Sequence, residues 1–128
     1  MARQKKLDKM SQNWDTHRVK VAKFHPAVQS ILRQFPEDIR RELGKAIFEL
    51  QHGVKLQMPL SRPMPDVGNG AHEIRVKDRS GIYRAFYVTQ SAKDVFVFHA
   101  FKKTTQKTPK KEMELGRKRL KEMLNEEV

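Results

Sequence analysis

The chain has no cysteine. A disulfide framework, a thiolate metal site and a cysteine nucleophile are all excluded, so the fold must come from apolar burial. A chain of 128 residues is long enough to bury a real core as one domain. Long apolar runs are also missing, and none approaches the roughly 18 residues that a membrane span needs. The opening MARQKKLDKM is basic but too polar for the apolar segment of a secretory signal. A soluble cytoplasmic protein, with no membrane partner, is the expectation. Acids are the third shortage. Asp and Glu number 15 against 27 Lys and Arg, a formal charge of +12 and a pI near 10.2. Such an excess spreads positive potential over the surface and favours polyanions, nucleic acid first among them.

Motifs for cofactors are absent too. The five histidines are scattered, with no HxxxH or similar ligand spacing, so no metal site is expected. No P-loop, GxGxxG, GxSxG or zinc-finger pattern occurs, and no acid pair stands out for two-metal chemistry. The segment DVGNG at 66–70 is a turn, because it does not lead from a strand into a helix as a phosphate loop does. No cofactor is expected.

The patterning implies an α+β domain. Residues 1–17 lack periodicity and read as a basic, mobile arm, with Trp14 able to anchor its end. The domain proper spans 18–128. Val19–Phe24 alternates weakly, as an edge strand does. Pro26 suits a helix start, with Val28, Ile31 and Leu32 on one face. In FPEDIRRELGKAIFELQHG, Glu37 and Asp38 favour a helix N-terminus. Ile39, Leu43, Ile47 and Leu50 recur at helical spacing, and Gly53 supplies a stop. A proline- and glycine-bearing connection, 54–71, follows.

Three strands come next. Glu73–Lys77 alternates strictly, with Ile74 and Val76 on one face and Arg75 and Lys77 on the other. Asp78-Arg-Ser-Gly81 is a turn into Ile82–Val88, and a second turn leads into Val95–Phe101. From Pro109 onward the composition is helical, with Met113, Leu120 and Leu124 along one side. The expected architecture is an N-terminal helical hairpin packed on a small antiparallel β-meander, with a C-terminal helix.

Two constellations carry chemistry. Arg75, Lys77, Arg79 and Arg84 lie on one hairpin. Lys77 and Arg79 fit the solvated face of an antiparallel sheet as well as they fit RNA. Arg84 sits in IYRAFYV, where a charge needs a partner. Either it pairs with Glu73 on the neighbouring strand or it meets an anion. The second constellation is VFVFHAFKKTTQKTPKKE, a core strand running into lysines. Strict alternation groups His99 with Val95, Val97 and Phe101, away from Phe96, Phe98 and Ala100. His99 is a structural residue or an acid–base group. Lys102, Lys103, Lys107, Lys110 and Lys111 precede any acid before Glu112; they form a solvated linker or a set of phosphate contacts. Tyr83 and Tyr87 fit the core, and either could meet a base or a phosphate.

The combination of GNGAHEIRVKDRSGIYRAFYV with HAFKKTTQKTPKKE, behind FPEDIRRELGKAI and LQHG, resembles the phage-derived, HigB-like branch of the RelE/ParE toxin superfamily. The resemblance spans roughly residues 20–125. It implies a RelE-like fold and a toxin of a type II toxin–antitoxin system. RelE- and HigB-like members are ribosome-dependent endoribonucleases that cut mRNA without a metal, by attack of the 2′-hydroxyl on the adjacent phosphate. A cognate antitoxin, HigA-like and of helix-turn-helix type, neutralises them. Carried over by position, the resemblance implies catalytic roles for Arg75, Arg84, Lys102 and Lys103, with His99 or Tyr87 in acid–base work. Lys77, Arg79, Lys107, Lys110 and Lys111 would bind RNA. The chain departs from some RelE-like sequences by carrying Glu73 where they have a second lysine. The ParE branch shares the fold but inhibits DNA gyrase, and a non-catalytic RNA- or ribosome-binding module is a further alternative.

Overall fold

The computed structural model describes residues 19–89, 92–103 and 108–127. Its elements in order are β1 (Val21–Phe24), α1 (Pro26–Arg33), α2 (Glu37–Gln51), β2 (Ser61–Pro63), β3 (His72–Asp78), β4 (Gly81–Val88), β5 (Asp94–Lys103) and α3 (Lys110–Glu127). The expected arm at 1–17, Trp14 and Lys107 lie outside the described residues.

A strand, not the helical hairpin, comes first. The five-stranded sheet has the order β1-β5-β4-β3-β2. The expected meander is its centre, with β3, β4 and β5 antiparallel in sequence. To it are added β1, parallel to β5, and β2, antiparallel to β3. The edge strand read at Val19–Phe24 is therefore present. β2 was hidden in the proline-bearing connection because its three residues are too short to show alternation. Pro63 is tolerated there because β2 is an edge.

The helices follow their local signals. Pro26 opens α1, and the His25 imidazole caps it by accepting from the Ala27 N–H at 3.1 Å. Glu37 and Asp38 occupy the first turn of α2, and each pairs with Arg41, at 3.1 and 3.5 Å. Gly53, at φ 82°, ends it in the left-handed region that favours glycine. Ile39, Leu43, Ile47 and Leu50 are all buried. Each such side chain contributes roughly 2 kcal/mol by leaving water.

The sheet is covered on both faces. Against α1 and α2 lie Ile74, Tyr83, Ala85, Tyr87, Val95, Val97 and Ala100. On the other face Phe86, Val88, Phe96, Phe98 and Phe101 pack under Met64, Val67, Leu120 and Met123. In α3 the buried stripe runs Gly116, Leu120, Met123, with Met113 half-buried, and the expected Leu124 is exposed. The stripe turns through Gly116, whose missing side chain lets the helix approach the Phe86 ring.

A bulge corrects the phase of β5. Phe86 pairs with His99, but Tyr87 pairs with Val97, so Phe98 is an extra residue. His99 and Phe101 consequently face α3 with Phe96 and Phe98, not the hairpin side with Val95 and Val97. Past the bulge the alternation continues, sending Lys102 to the hairpin side and Lys103 to the α3 side.

Candidate active site

On the α3 face of the sheet, cations converge on one buried acid. Register explains how. Arg62 is paired with Glu73, and Arg75 with Arg84, so all four side chains share a face. The Glu73 Oε1 atom meets Arg62 Nε at 3.1 Å and Arg75 Nε at 3.7 Å, and it accepts a hydrogen bond from Arg84 Nη1. Its other oxygen accepts from the Thr108 hydroxyl at 3.4 Å. Lys103, cross-strand from Ile82, brings a fourth cation to the same face.

Among the described residues, the register brings four cations to one carboxylate, Glu73. Glu73 and Arg84 have no exposed surface, and burial of such a pair is tolerated only when its hydrogen bonds are met. Burial pushes the Arg84 guanidinium below its ordinary value; Arg75 and Arg62 push the same way, and Glu73 opposes them. Lys103 is 6% exposed. Its Nζ has no hydrogen-bond partner among the described residues. Burial first, then the charge on Arg84, brings its ammonium down to about 8. A buried amine of this kind, beside guanidiniums that partly reach the surface, suits an anion. Arg62 and Arg75 are the members that reach solvent, with side chains 32% and 23% exposed.

The expected site residues divide over this geometry. Arg75, Arg84 and Lys103 come together around Glu73. Arg84 lies one layer beneath the surface, in the internal ion pair that the sequence allowed, with no area to offer a phosphate in this arrangement. Lys102 does not join Lys103. It projects to the opposite face, with Nζ 5.7 Å from the Tyr83 ring centre. Tyr87 is also on the opposite face. It is buried, its hydroxyl is 2.6 Å from the Ser61 hydroxyl, and its ring stacks on His72. Burial raises its phenol above the ordinary value. Lys77 and Arg79 are exposed at the tip of the β3–β4 hairpin, and Lys110 and Lys111 are exposed in the first turn of α3. Lysines there oppose the helix dipole, so they add positive potential at some cost to the helix.

His99 is held by α3. Arg119 can only donate, so its Nη1 donates to His99 Nδ1 at 2.7 Å. His99 Nε2 then carries the proton and donates to Glu112 at 2.8 Å. Burial lowers its pKa, against the opposing Glu112 hydrogen bond. Both ring nitrogens are thus committed, and the imidazole is neutral at pH 7. Nearby, His25 Nε2 meets Glu122 at 2.9 Å, a second polar tie from α3 to the body.

Arg62 and Thr108 were not legible as site residues in the sequence. Arg62 stands between prolines with no visible periodicity, and Thr108 lies inside HAFKKTTQKTPKKE, where the lysines carry the signal. Strand pairing brings Arg62 to Glu73, and the segment leading into α3 brings Thr108. Among the described residues, no group of three His, Asp or Glu is placed to hold a metal ion, and no helix is long and apolar enough to cross a membrane.

Three comparisons bear on this arrangement. A family model described as "Phage derived protein Gp49-like" matches residues 30–121. Among solved structures, the chain is similar to a mutant of the E. coli toxin RelE in the free state. The TM-score is 0.51 and the identity 20%, over 83% of this chain and 99% of that one. Compared with the curated proteins, the sequence has no match. The family match takes in α2, the whole β2–β5 part of the sheet with its Glu73 cluster, and the first two-thirds of α3. The chain belongs to the phage-derived Gp49-like family and has the mixed α+β fold of the RelE-type toxins.

Proposed function

We propose that the protein is the toxin of a toxin–antitoxin system and that it cleaves mRNA on the ribosome. The observation that carries this reading is the gathering of four cations around Glu73, with the Lys103 Nζ buried beside them and without a hydrogen-bond partner among the described residues. Cleavage by an internal 2′-hydroxyl needs such a gathering. As the 2′-oxygen bonds to phosphorus, negative charge grows on the phosphorane, and preorganised cations lower its energy. The bond to the 5′-oxygen then breaks, leaving a cyclic phosphate and a 5′-hydroxyl.

In this scheme Arg75 and Arg62 grip the phosphate, since guanidinium forks match its oxygens. With its ammonium at about 8, Lys103 is uncharged in roughly a tenth of molecules at pH 7. That fraction takes the proton from the 2′-hydroxyl, and the resulting ammonium faces the phosphorane. The leaving 5′-oxygen takes its proton from water. Arg84 and Glu73 are positioning residues beneath the reacting groups. The chain's own cations supply the charge, without a metal. Lys77, Arg79, Lys110 and Lys111 hold the flanking RNA backbone. A cognate antitoxin, HigA-like and acidic toward this face, would neutralise the site.

The test is a bacterial translation reaction with 5′ ends mapped on the mRNA by primer extension. Ribosome-free RNA and the Lys103→Met and Arg75→Ala variants run alongside. Breaks that require ribosomes and disappear in both variants support the reading. Intact mRNA with a folded wild-type protein would overturn it, and DNA gyrase inhibition in that case would point to the ParE-like activity.

A further inference from the structure

A cavity beside the Glu73 cluster is not used by the phosphate chemistry. β2 ends its pairing with β3 at Ser61 opposite Ile74. The last main-chain bond on that side is from the Arg75 N–H to the Leu60 carbonyl, at 2.8 Å. Where the partner strand stops, a cavity of about 380 Å³ opens, lined by Pro59, Leu60, Arg75, Val76, Lys77 and Ile82. Four of these six are aliphatic, and the two polar side chains are both cations.

The lining has a direct connection to the cluster. Arg75 lies 3.7 Å from Glu73 and is also one of the residues bordering the cavity, so the cavity adjoins the cluster. Lys77 follows on the same face of β3, two residues along. An occupant must therefore present a flat or apolar body to Pro59, Leu60, Val76 and Ile82, with negative charge or hydrogen-bond acceptors toward Arg75 and Lys77. A nucleotide has both parts. Its phosphate belongs with the cations, and its base, unstacked from a single strand, has an apolar face and an acceptor-bearing edge. The volume falls in the range of small-ligand pockets.

We infer that this cavity receives the nucleobase of the nucleotide whose phosphate is held by Arg75. The inference rests on the proposed function only in seating a phosphate at the Glu73 cluster. It adds a base-binding subsite formed where β2 ends, so that the enzyme grips a splayed nucleotide by its two ends rather than by backbone charge alone.

Calorimetric titration of the full chain with guanosine 5′-monophosphate and with ribose 5-phosphate tests it. Both probes carry the same phosphate, so their difference reports the base. The nucleotide is expected to bind about tenfold tighter or more, the scale of one base contact. Ile82→Trp, at a half-buried position, fills the cavity; it should erase the difference while leaving ribose 5-phosphate affinity unchanged. Arg75→Ala should weaken both probes. Equal affinities on the wild-type chain overturn the subsite whether or not the variant folds, and so does a difference that survives Ile82→Trp. The two readings fail separately. Base-dependent binding with intact mRNA removes the ribonuclease and keeps the subsite, whereas mRNA cleavage with no contribution from the base removes the subsite alone.

Discussion

Lys103→Met keeps an unbranched apolar stem as far as Cε and removes one positive charge from the Glu73 cluster. In the folded protein this ammonium loses its proton at about 8, against an ordinary lysine at 10.5. A tenfold change in proton affinity is worth about 1.4 kcal/mol, so holding the charge costs the fold roughly 3 kcal/mol at neutral pH. The direction with pH follows. Between 8 and 10.5 the unfolded chain keeps the lysine proton and the folded chain has released it, so wild-type stability rises with pH across that window. Below 8 both states are protonated and the full cost is present. The methionine variant is therefore expected to be more stable than wild type at pH 7, by up to about 3 kcal/mol, with the gap closing toward pH 10. Urea denaturation of both proteins from pH 7 to 10 measures it, and taking the difference cancels the other groups that titrate there. The same variant is expected to lose mRNA cleavage. A stabilised but inactive protein would mark Lys103 as a residue kept for chemistry at the expense of the fold. No gain at pH 7, or a gap that stays constant with pH, would refute the reasoning.

Glu73→Gln keeps the shape of the side chain but removes the counter-charge of a fully buried Arg84, and should destabilise by about 3–5 kcal/mol; thermal unfolding checks it, and adding Arg84→Met should recover much of the loss. Gly116→Ala would ordinarily strengthen a helix by up to about 1 kcal/mol. Here the new methyl would meet the Phe86 ring at 2.8 and 2.9 Å and Val67 at 3.3 Å, so a loss of about 1–3 kcal/mol is expected instead, read from the urea midpoint. His99 has a folded pKa held below 6.5, so the unfolded chain takes up its proton first as pH falls. Stability is expected to drop below pH 6.5, and His99→Asn should show a smaller drop between pH 7.5 and 5.5 by the same measurement.

The features legible in the sequence were local ones. The spacing of Ile39, Leu43, Ile47 and Leu50, the first-turn acids and the Gly53 stop specify α2 because helix periodicity and capping act over a few residues. The Asp78–Gly81 turn is equally local. Asp78 accepts from the Ser80 N–H at 2.7 Å, and Gly81 takes a φ of 152°. The family motifs on β3 to β5 were also legible, as was the choice facing Arg84, for a mid-strand charge must find a partner wherever the fold puts it. Tertiary structure decided the rest. The Phe98 bulge reversed the phase of His99, Phe101 and Lys103, and no alternation pattern within one strand reveals an extra residue that is defined only by its neighbour's register. That reversal sent Lys103 to the α3 face and left Lys102 on the other. Arg62 reached Glu73 by strand pairing across 11 positions of sequence, and Thr108 by the approach to α3 across 35. The surplus of charge was written in the composition, but which cations face one another, and which of them are buried, follows from strand register and from the helix that closes over the sheet.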